Sequence, residues 1–543
     1  MTGKYTEDQL RNLDPEMVIS LYLKLQEQNE AVLERLDIVT EQLAVISQHM
    51  FGRKTEKNLV ANEDYSQARI VEENGKTIIV FNEAEAEYSA LFIEPSEKET
   101  LKNCNEKKRP KGKKEKDLEG LPVIIEEHDL TEEQLKDVFG DMKYKRLPDE
   151  VYKRLVYKPA TQTVVEHHVA VYAGVDNQTM VKADRPKDLL RGSIVTPSLA
   201  AAIFNGKYVN ALPLYRLEQD FKRSGLILSR QTMANWTIRL AEEYLSLFYD
   251  ELHKEIYKTH VLHADETPVK VSKDGRKAGA NSYMWVYRTG GYSTQNPVVL
   301  YQYQRTRKKD HPREFLKDFN GVLVTDGYQV YHSLEKEKSS LTIAGCWAHA
   351  RRKFAEVVKT YEDQDARRNT FAYEILSRIQ SIYRLDNTFS ELSNKDREKR
   401  RQESIKPLVD ALFVCLKQGQ ENVAKGSKTG KGIEYCLNQE KYLRAFLDDG
   451  DIPLDNNNAE RSIRSFCIGK KNWVLIDTIN GANASAIIYS IAETAKANHL
   501  RTYHYFEFLL TEIMNHMDDT NTDFLKDLLP WSPKIPDSCK FIK

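Results

Sequence analysis

Three acidic residues stand where acids need a reason to be: Asp265 within HVLHADETPVKV, Asp326 within GVLVTDGYQVY, and Glu460 within DNNNAERSIRSFCIGKKNW. The first two interrupt apolar runs of strand character. If the strands are neighbours, their carboxylates repel and raise each other's pKa unless a cation lies between them. Three carboxylates, with the remaining positions left to water and phosphate oxygens, suit a hard ion, Mg²⁺ or Mn²⁺. Two such ions would activate a water or a 3′-hydroxyl and stabilise the leaving oxygen of an in-line phosphoryl transfer. Glu266 competes with Asp265. On a regular strand the two side chains point to opposite faces, so only one can be a ligand, and the apolar neighbours do not settle which.

The stretch Asp455–Trp473 predicts a helix. Asp455 and the asparagines after it are good N-caps, and Ala459, Ile463 and Phe466 or Cys467 recur at helical spacing. On that helix Glu460 and Arg464 are four apart with Arg461 beside them, which suits a cation and a phosphate. Arg351, Arg352 and Lys353 in CWAHARRKF, with Lys470 and Lys471, read as DNA-backbone contacts. The same block holds Cys346 and His349 at a possible ligand spacing, but two ligands make no site, and a strand packing against a basic helix explains the pattern.

What must position the acids is a β-rich segment beginning at His260. Three strands, a short helix in HPREFLKDF, a strand ending at Asp326 and a further strand in LTIAGC follow one another. That is the element order of a ribonuclease H-like fold, in which the first and fourth strands lie side by side. Glu362–Asp451 is helical and highly charged and reads as an insertion before the glutamate helix. Upstream, LPLYRLEQDFKRSGLILSRQTMANWTIRL has the form of a helix-turn-helix: Leu214, Leu217, Phe221, Met233, Trp236 and Leu240 supply a core, Gly225 the turn and Ser229 a cap. Arg230, Gln231 and Asn235 could then reach base edges from the second helix.

Val18–Met50 carries a heptad seam with Asn29 in phase with Tyr22, Leu36 and Leu43, a pattern for a coiled coil that self-associates. A basic run from Lys102 to Lys116 reads as a solvated linker, with a DNA-phosphate arm as the alternative. Alternation in Val151–Tyr157 and Thr163–Tyr172 suggests a small β unit whose His128, His167 and His168 are structural. The six cysteines include no CxxC pair, against a disulfide framework or a four-cysteine zinc site. A net charge of −1 offers no global basic field, so any DNA contact must be local. No apolar run could span a bilayer and no signal-peptide pattern opens the chain, so a cytoplasmic protein without membrane contact is expected.

Taken together, HADETP, TDGYQVY, CWAHARRKF, NNNAERSIR, GKKNW and LLPW resemble the transposases of the insertion-sequence-66 family over roughly Pro197–Trp531, and MFGRKTEK resembles the boundary after that family's N-terminal zipper-like helix. The resemblance implies a DDE transposase whose acids match Asp265, Asp326 and Glu460. It favours Asp265 over Glu266, because the motif holds an aspartate there and allows either acid next. It implies DNA as partner (element ends and target), small accessory proteins of the same element, and a place at the bacterial nucleoid. Many family members carry paired zinc-binding cysteines before the helix-turn-helix; Asp137–Ala173 has none, so no zinc is expected. The expected fold class is α/β multidomain: a coiled coil at 1–57, a linker at 58–120, a small β unit at 121–184, a helix-turn-helix domain at 185–255, a ribonuclease H-like catalytic domain at 256–498 with a helical insertion at 362–451, and a helical tail at 499–543. The rival readings are a DNA-binding regulator with a dead catalytic fold and a nuclease of the same fold.

Overall fold

A computed structural model of the chain describes residues 69–73, 76–80, 131–142, 160–173 and 180–541, except 278 and 362, together with residues 26, 123 and 125. The predicted coiled coil, apart from Gln26, lies outside the described residues, as do MFGRKTEK, the basic run, His128 and Val151–Tyr157. Within the predicted linker, β1 (Arg69–Glu73) and β2 (Lys76–Val80) form an antiparallel pair. Asn74-Gly75 between them in the sequence is a common hairpin dipeptide in a stretch of otherwise weak pattern. No helix among the described residues is long and apolar enough to cross a membrane.

By compactness the chain divides into two units. The smaller includes Pro95–Lys187 and Glu218–Leu228, the larger Asp188–Leu217 and Ser229–Cys539. In the smaller, α1 (Glu132–Phe139) starts at a capping box in which Thr131 and Gln134 exchange side-chain-to-backbone bonds. The strand expected over Thr163–Tyr172 is confined to β3 (Val171–Ala173), which pairs with β4 (Met180–Lys182). Residues 160–170 carry no regular structure, and His167 and His168 are exposed, so alternation there reflects no buried face.

The helical run after Pro197 is α2 (Pro197–Phe204), α3 (Leu214–Arg223), α4 (Arg230–Leu240) and α5 (Ser246–Ile256). Gly225 between α3 and α4 has φ +93°, and Ser229 caps α4 by accepting the Thr232 N–H at 3.1 Å. Leu217, Met233 and Leu240 are buried, as expected, while Leu214, Phe221 and Trp236 are half-buried.

A mixed sheet then forms from β5 (Val261–Lys273), β6 (Asn281–Gly290), β7 (Val299–Gln304), β8 (Gly321–Thr325) and β9 (Leu341–Gly345), with α6 (Asp310–Phe315) before β8. The strand order is β7-β6-β5-β8-β9; β6 lies antiparallel to β5 and β7, and β8 lies parallel to β5 and β9. The first and fourth strands are therefore neighbours, as the element order predicts. TDGYQVY is not strand beyond Thr325. Gly327 turns the chain at φ +89°, and α7 (Gln329–Glu337) follows.

After β9 comes α8 (Trp347–Val358), then the helices of the charged segment: α9 (Phe371–Asn387), α10 (Asn394–Arg400), α11 (Lys406–Asn422), α12 (Lys428–Asn438) and α13 (Glu440–Arg444). Their apolar stripes are continuous with the sheet. Val261, Val324 and Ala344 share one core with Trp347 and Phe354, with Ile375 and Ile379 of α9, and with Leu412 and Leu416 of α11. The chain returns through α14 (Asn457–Trp473), β10 (Ile476–Thr478, paired with the far end of β5), α15 (Ile479–Ala497) and α16 (Thr502–Asn515). α15 covers the edge strand β7: Ser490 Oγ accepts the Tyr301 N–H at 2.7 Å and Thr494 Oγ1 the Val299 N–H at 2.9 Å, so hydroxyls occupy donors that would otherwise recruit another strand. α16 returns to α2, where Phe506 meets Phe204 edge-on at 5.5 Å.

Candidate active site

The parallel register of β5 and β8 ends at His263↔Val324. Two residues further along each strand direction stand Asp265 and Asp326, so the register carries both acids to the same side, just past the point where the two strands stop pairing. Alternation along β5 then separates the neighbouring acids. His263 and Thr267, of the same parity as Asp265, meet the α14 segment: His263 Nδ1 lies 2.8 Å from Asn456 Oδ1, and Thr267 Oγ1 3.6 Å from Cys467 Sγ. Glu266 has the opposite parity. Its carboxylate accepts from Arg307 Nε at 2.7 Å and from the Tyr331 hydroxyl at 3.1 Å, and its side chain is 2% exposed. Asp265 has neither partner; its Oδ1 accepts the Glu266 N–H at 2.8 Å.

Burial holds the Asp265 carboxyl well above the usual carboxylate range, and the negative charges of Glu266, Asp326 and Glu460 push it the same way. Glu266 is also raised, mainly by burial, with Arg307 opposing. A cation among Asp265, Asp326 and Glu460 would relieve this repulsion, and the all-oxygen donor set fits Mg²⁺ or Mn²⁺.

Glu460 is held by a helix fixed at several points. Asp455 Oδ1 accepts the Asn457 N–H at 3.1 Å, while Asn456 occupies the cap position and spends its side chain on β5, where its Nδ2 donates to the Ala264 carbonyl at 2.9 Å. Burial lifts Asp455 to about 6. Further along, the Tyr301 hydroxyl donates to the Ser462 carbonyl at 2.6 Å, Arg288 Nη1 to Ser462 Oγ at 3.1 Å, and Lys470 Nζ to the Pro268 carbonyl at 2.9 Å. The buried face of α14 is Asn457, Ala459, Ser462, Phe466 and Gly469; Ile463 and Cys467 are half-buried.

Glu460 itself turns toward α8, with Oε2 3.3 Å from Arg352 Nη2 and Oε1 3.6 Å from His349 Nδ1. Cys346, at the cap of α8, accepts the Asn456 N–H on Sγ at 3.1 Å. Among the described residues, Cys346, His349 and Glu460 are the group of three donors whose ligand atoms all lie within 4.8 Å of one another; Asp265, Asp326 and Glu460 are more widely spread. Burial raises the Cys346 thiol and lowers the His349 imidazole. Read as two ligands, CWAH made no site. The third donor comes from α14, a sequence separation no local spacing reveals.

The remaining candidates are spread out. Arg352 pairs with Glu460, Lys353 is exposed with its ammonium 5.5 Å from the Tyr435 ring centre, and Arg351 lines a cavity of about 140 Å³ with Gln380, Tyr383, Arg384 and Asn387. Arg461 and Lys471 are exposed and Arg464 is half-buried; Lys470 is tied down to Pro268. Arg230, Gln231 and Asn235 are exposed on α4, with the Arg230 guanidinium 5.6 Å from the Tyr215 ring centre. Arg307, which holds Glu266 from 41 residues along the chain, belongs to no motif that local spacing reveals.

A mixed α/β sheet of this order, with acids just past the point where its two central parallel neighbours stop pairing and a third acid on a helix after a helical insertion, is compatible with a ribonuclease H-like domain. The chain belongs to the insertion-sequence-66 family of transposases: the family described as "Transposase IS66 family" matches residues 192–484. Three Sinorhizobium fredii proteins are similar to it. Uncharacterized protein y4jD is 31% identical over 363 residues, 65% of this chain and 69% of that protein. Uncharacterized protein y4qI is 29% identical, covering 71% of each chain, and uncharacterized protein y4hP is 26% identical, covering 73% of this chain and 72% of its own. Family membership points to transposition and to DNA as the partner.

Proposed function

We propose that this protein is a DDE transposase that binds the ends of its own mobile element, cuts to free 3′-hydroxyls and joins them to target DNA. The observation that supports the reading is the β5–β8 register, which brings Asp265 and Asp326 together just past the end of that pairing, near enough to Glu460 for its charge and that of Asp326 both to bear on Asp265. Asp265, Asp326 and Glu460 would hold two divalent ions, Mg²⁺ or Mn²⁺, which when bound supply activation of the attacking hydroxyl and stabilisation of the leaving oxygen. The chain's own residues do the positioning. Arg307 and Tyr331 keep Glu266 on the other face, and Asn456, Ser462 and Lys470 fix the glutamate helix across β5. Arg351, Lys353, Arg461, Arg464 and Lys471 contact DNA phosphates; Arg352 does so once released from Glu460. The pair α3–α4 acts as a helix-turn-helix, with Arg230, Gln231 and Asn235 reading bases of the terminal repeat. The N-terminal heptads make the protein a homo-oligomer, and accessory proteins of the same element join the assembly.

The test is strand transfer of a labelled element end by the wild type and by Asp265→Ala, Asp326→Ala and Glu460→Ala, with Mg²⁺, with Mn²⁺ and with chelator. Each substitution should cost orders of magnitude in joining, while DNA binding persists or improves as negative charge is lost. Substantial joining by Glu460→Ala, or activity that survives chelation, would remove this assignment.

A further inference from the structure

Two buried polar atoms at the α8–α14 contact have no hydrogen-bond partner: His349 Nδ1 and Glu460 Oε1. They face each other at 3.6 Å, too far for a hydrogen bond and close enough to share a bound atom. Cys346 Sγ completes the group, all three donors lying within 4.8 Å of one another. Leaving such atoms unsatisfied is costly, and a ligand bound between them would satisfy both. The donor set also says which ligand. One sulfur, one imidazole nitrogen and one carboxylate oxygen match a tetrahedral borderline ion and not a hard one. At normal zinc bond lengths tetrahedral donors stand roughly 3.5 Å apart, so small side-chain rotations would close the group. The surroundings are those of a supported site: the Asn456 N–H already donates to the sulfur, and Arg352 holds Glu460 Oε2, leaving Oε1 for the ion.

We propose that Cys346, His349 and Glu460 form a Zn²⁺ site with water at the fourth position, and that an ion there withholds Glu460 from Asp265 and Asp326. Binding forms the Zn–S bond as the Cys346 thiol loses its proton to solvent; no electrons are exchanged. The sequence expectation was of no zinc, with Cys346 and His349 set aside as two ligands that make no site; Glu460 is the third donor which that expectation lacked. The binding claim stands on geometry alone. Its consequence for activity rests on Glu460 being the third catalytic acid.

The experiment uses the full chain and Co²⁺ as the spectroscopic stand-in for Zn²⁺. The wild type should give a near-ultraviolet thiolate-to-cobalt charge-transfer band together with the intense visible bands of tetrahedral Co²⁺, both displaced by Zn²⁺. Cys346→Ser should lose the charge-transfer band, and His349→Ala and Glu460→Gln should weaken Zn²⁺ binding by at least about tenfold to 100-fold, the range lost with even an outer partner of a ligand. Cys436→Ser, which changes a buried cysteine on α12, should leave the spectrum intact, and circular dichroism checks that each variant is folded. A folded wild type without the band, or a band that survives in Cys346→Ser, overturns the site. Strand transfer is read separately: micromolar Zn²⁺ should inhibit the wild type relative to its own rate in Mg²⁺. A protein that binds Co²⁺ as described but is not inhibited keeps the zinc site and loses its link to Glu460 in catalysis.

Discussion

Glu266 shows how the partners of two adjacent acids can differ. The sequence left Asp265 and Glu266 open, and only family resemblance preferred the first. In the fold, Glu266 is consumed by Arg307 and the Tyr331 hydroxyl, while Asp265 has only a backbone donor and the repulsion of other acids. Truncating Glu266 therefore strands a guanidinium and a buried hydroxyl. Because Arg307 is itself partly exposed, the cost should be about 1–3 kcal/mol and not that of a fully buried ion pair. Glu266→Ala should lower the thermal midpoint yet retain far more strand transfer than Asp265→Ala, and Glu266→Gln, which keeps an acceptor for Tyr331, should lie closer to wild type in both. A Glu266→Ala protein that is as stable as wild type but inactive would mean that the carboxylate serves the reaction and not the packing.

At the scale of elements, the strand order was legible because alternating apolar runs separated by turns survive in the sequence, and order alone makes β5 and β8 neighbours. The α7 helix was not: TDGYQVY has strand-like aromatic and β-branched residues, and one glycine at φ +89° is enough to end the strand at Thr325. Nor was the work of the insertion. In the sequence the segment reads only as helical and highly charged, yet Arg401 is fully buried, paired with Asp386 at 2.7 Å and donating to the carbonyls of Phe446, Asp449 and Ile452. Arg397, also buried, donates to the carbonyl of Gly450 and lies with its guanidinium 3.7 Å from the Tyr292 ring centre. These contacts clamp the loop that delivers α14, so the insertion sets where Glu460 stands. Such a role depends on partners far along the chain, which periodicity cannot report. Asp386→Ala leaves the Arg401 charge buried without its counter-ion and should cost about 3–5 kcal/mol in urea denaturation. Strand transfer should fall with it even at temperatures where the protein remains folded, and limited proteolysis should cut first between Phe446 and Leu454. Unchanged stability would show that the pair is dispensable to the clamp.

At the scale of the whole molecule, the proposed reaction requires two ends of one element to be held together, and a single copy of the proposed active site and helix-turn-helix offers no means of doing so. The heptad seam of Val18–Met50 is the feature of the sequence that answers this need, although it lies outside the described residues. Asn29 in that seam would fix register and favour two strands at some cost in stability. With Leu36 and Leu43 both changed to glutamate, the apolar seam carries charges that cannot be buried, and light scattering should give the mass of one chain in place of two or more. The consequence for DNA separates the levels of organisation. Each monomer keeps α4 and its Arg230, Gln231 and Asn235, so gel shifts with one element end should persist at higher protein concentration. Complexes that pair two differently labelled ends should disappear. An unchanged mass would remove the coiled coil as the assembly device; monomers that still pair two ends would show that a different surface brings the ends together.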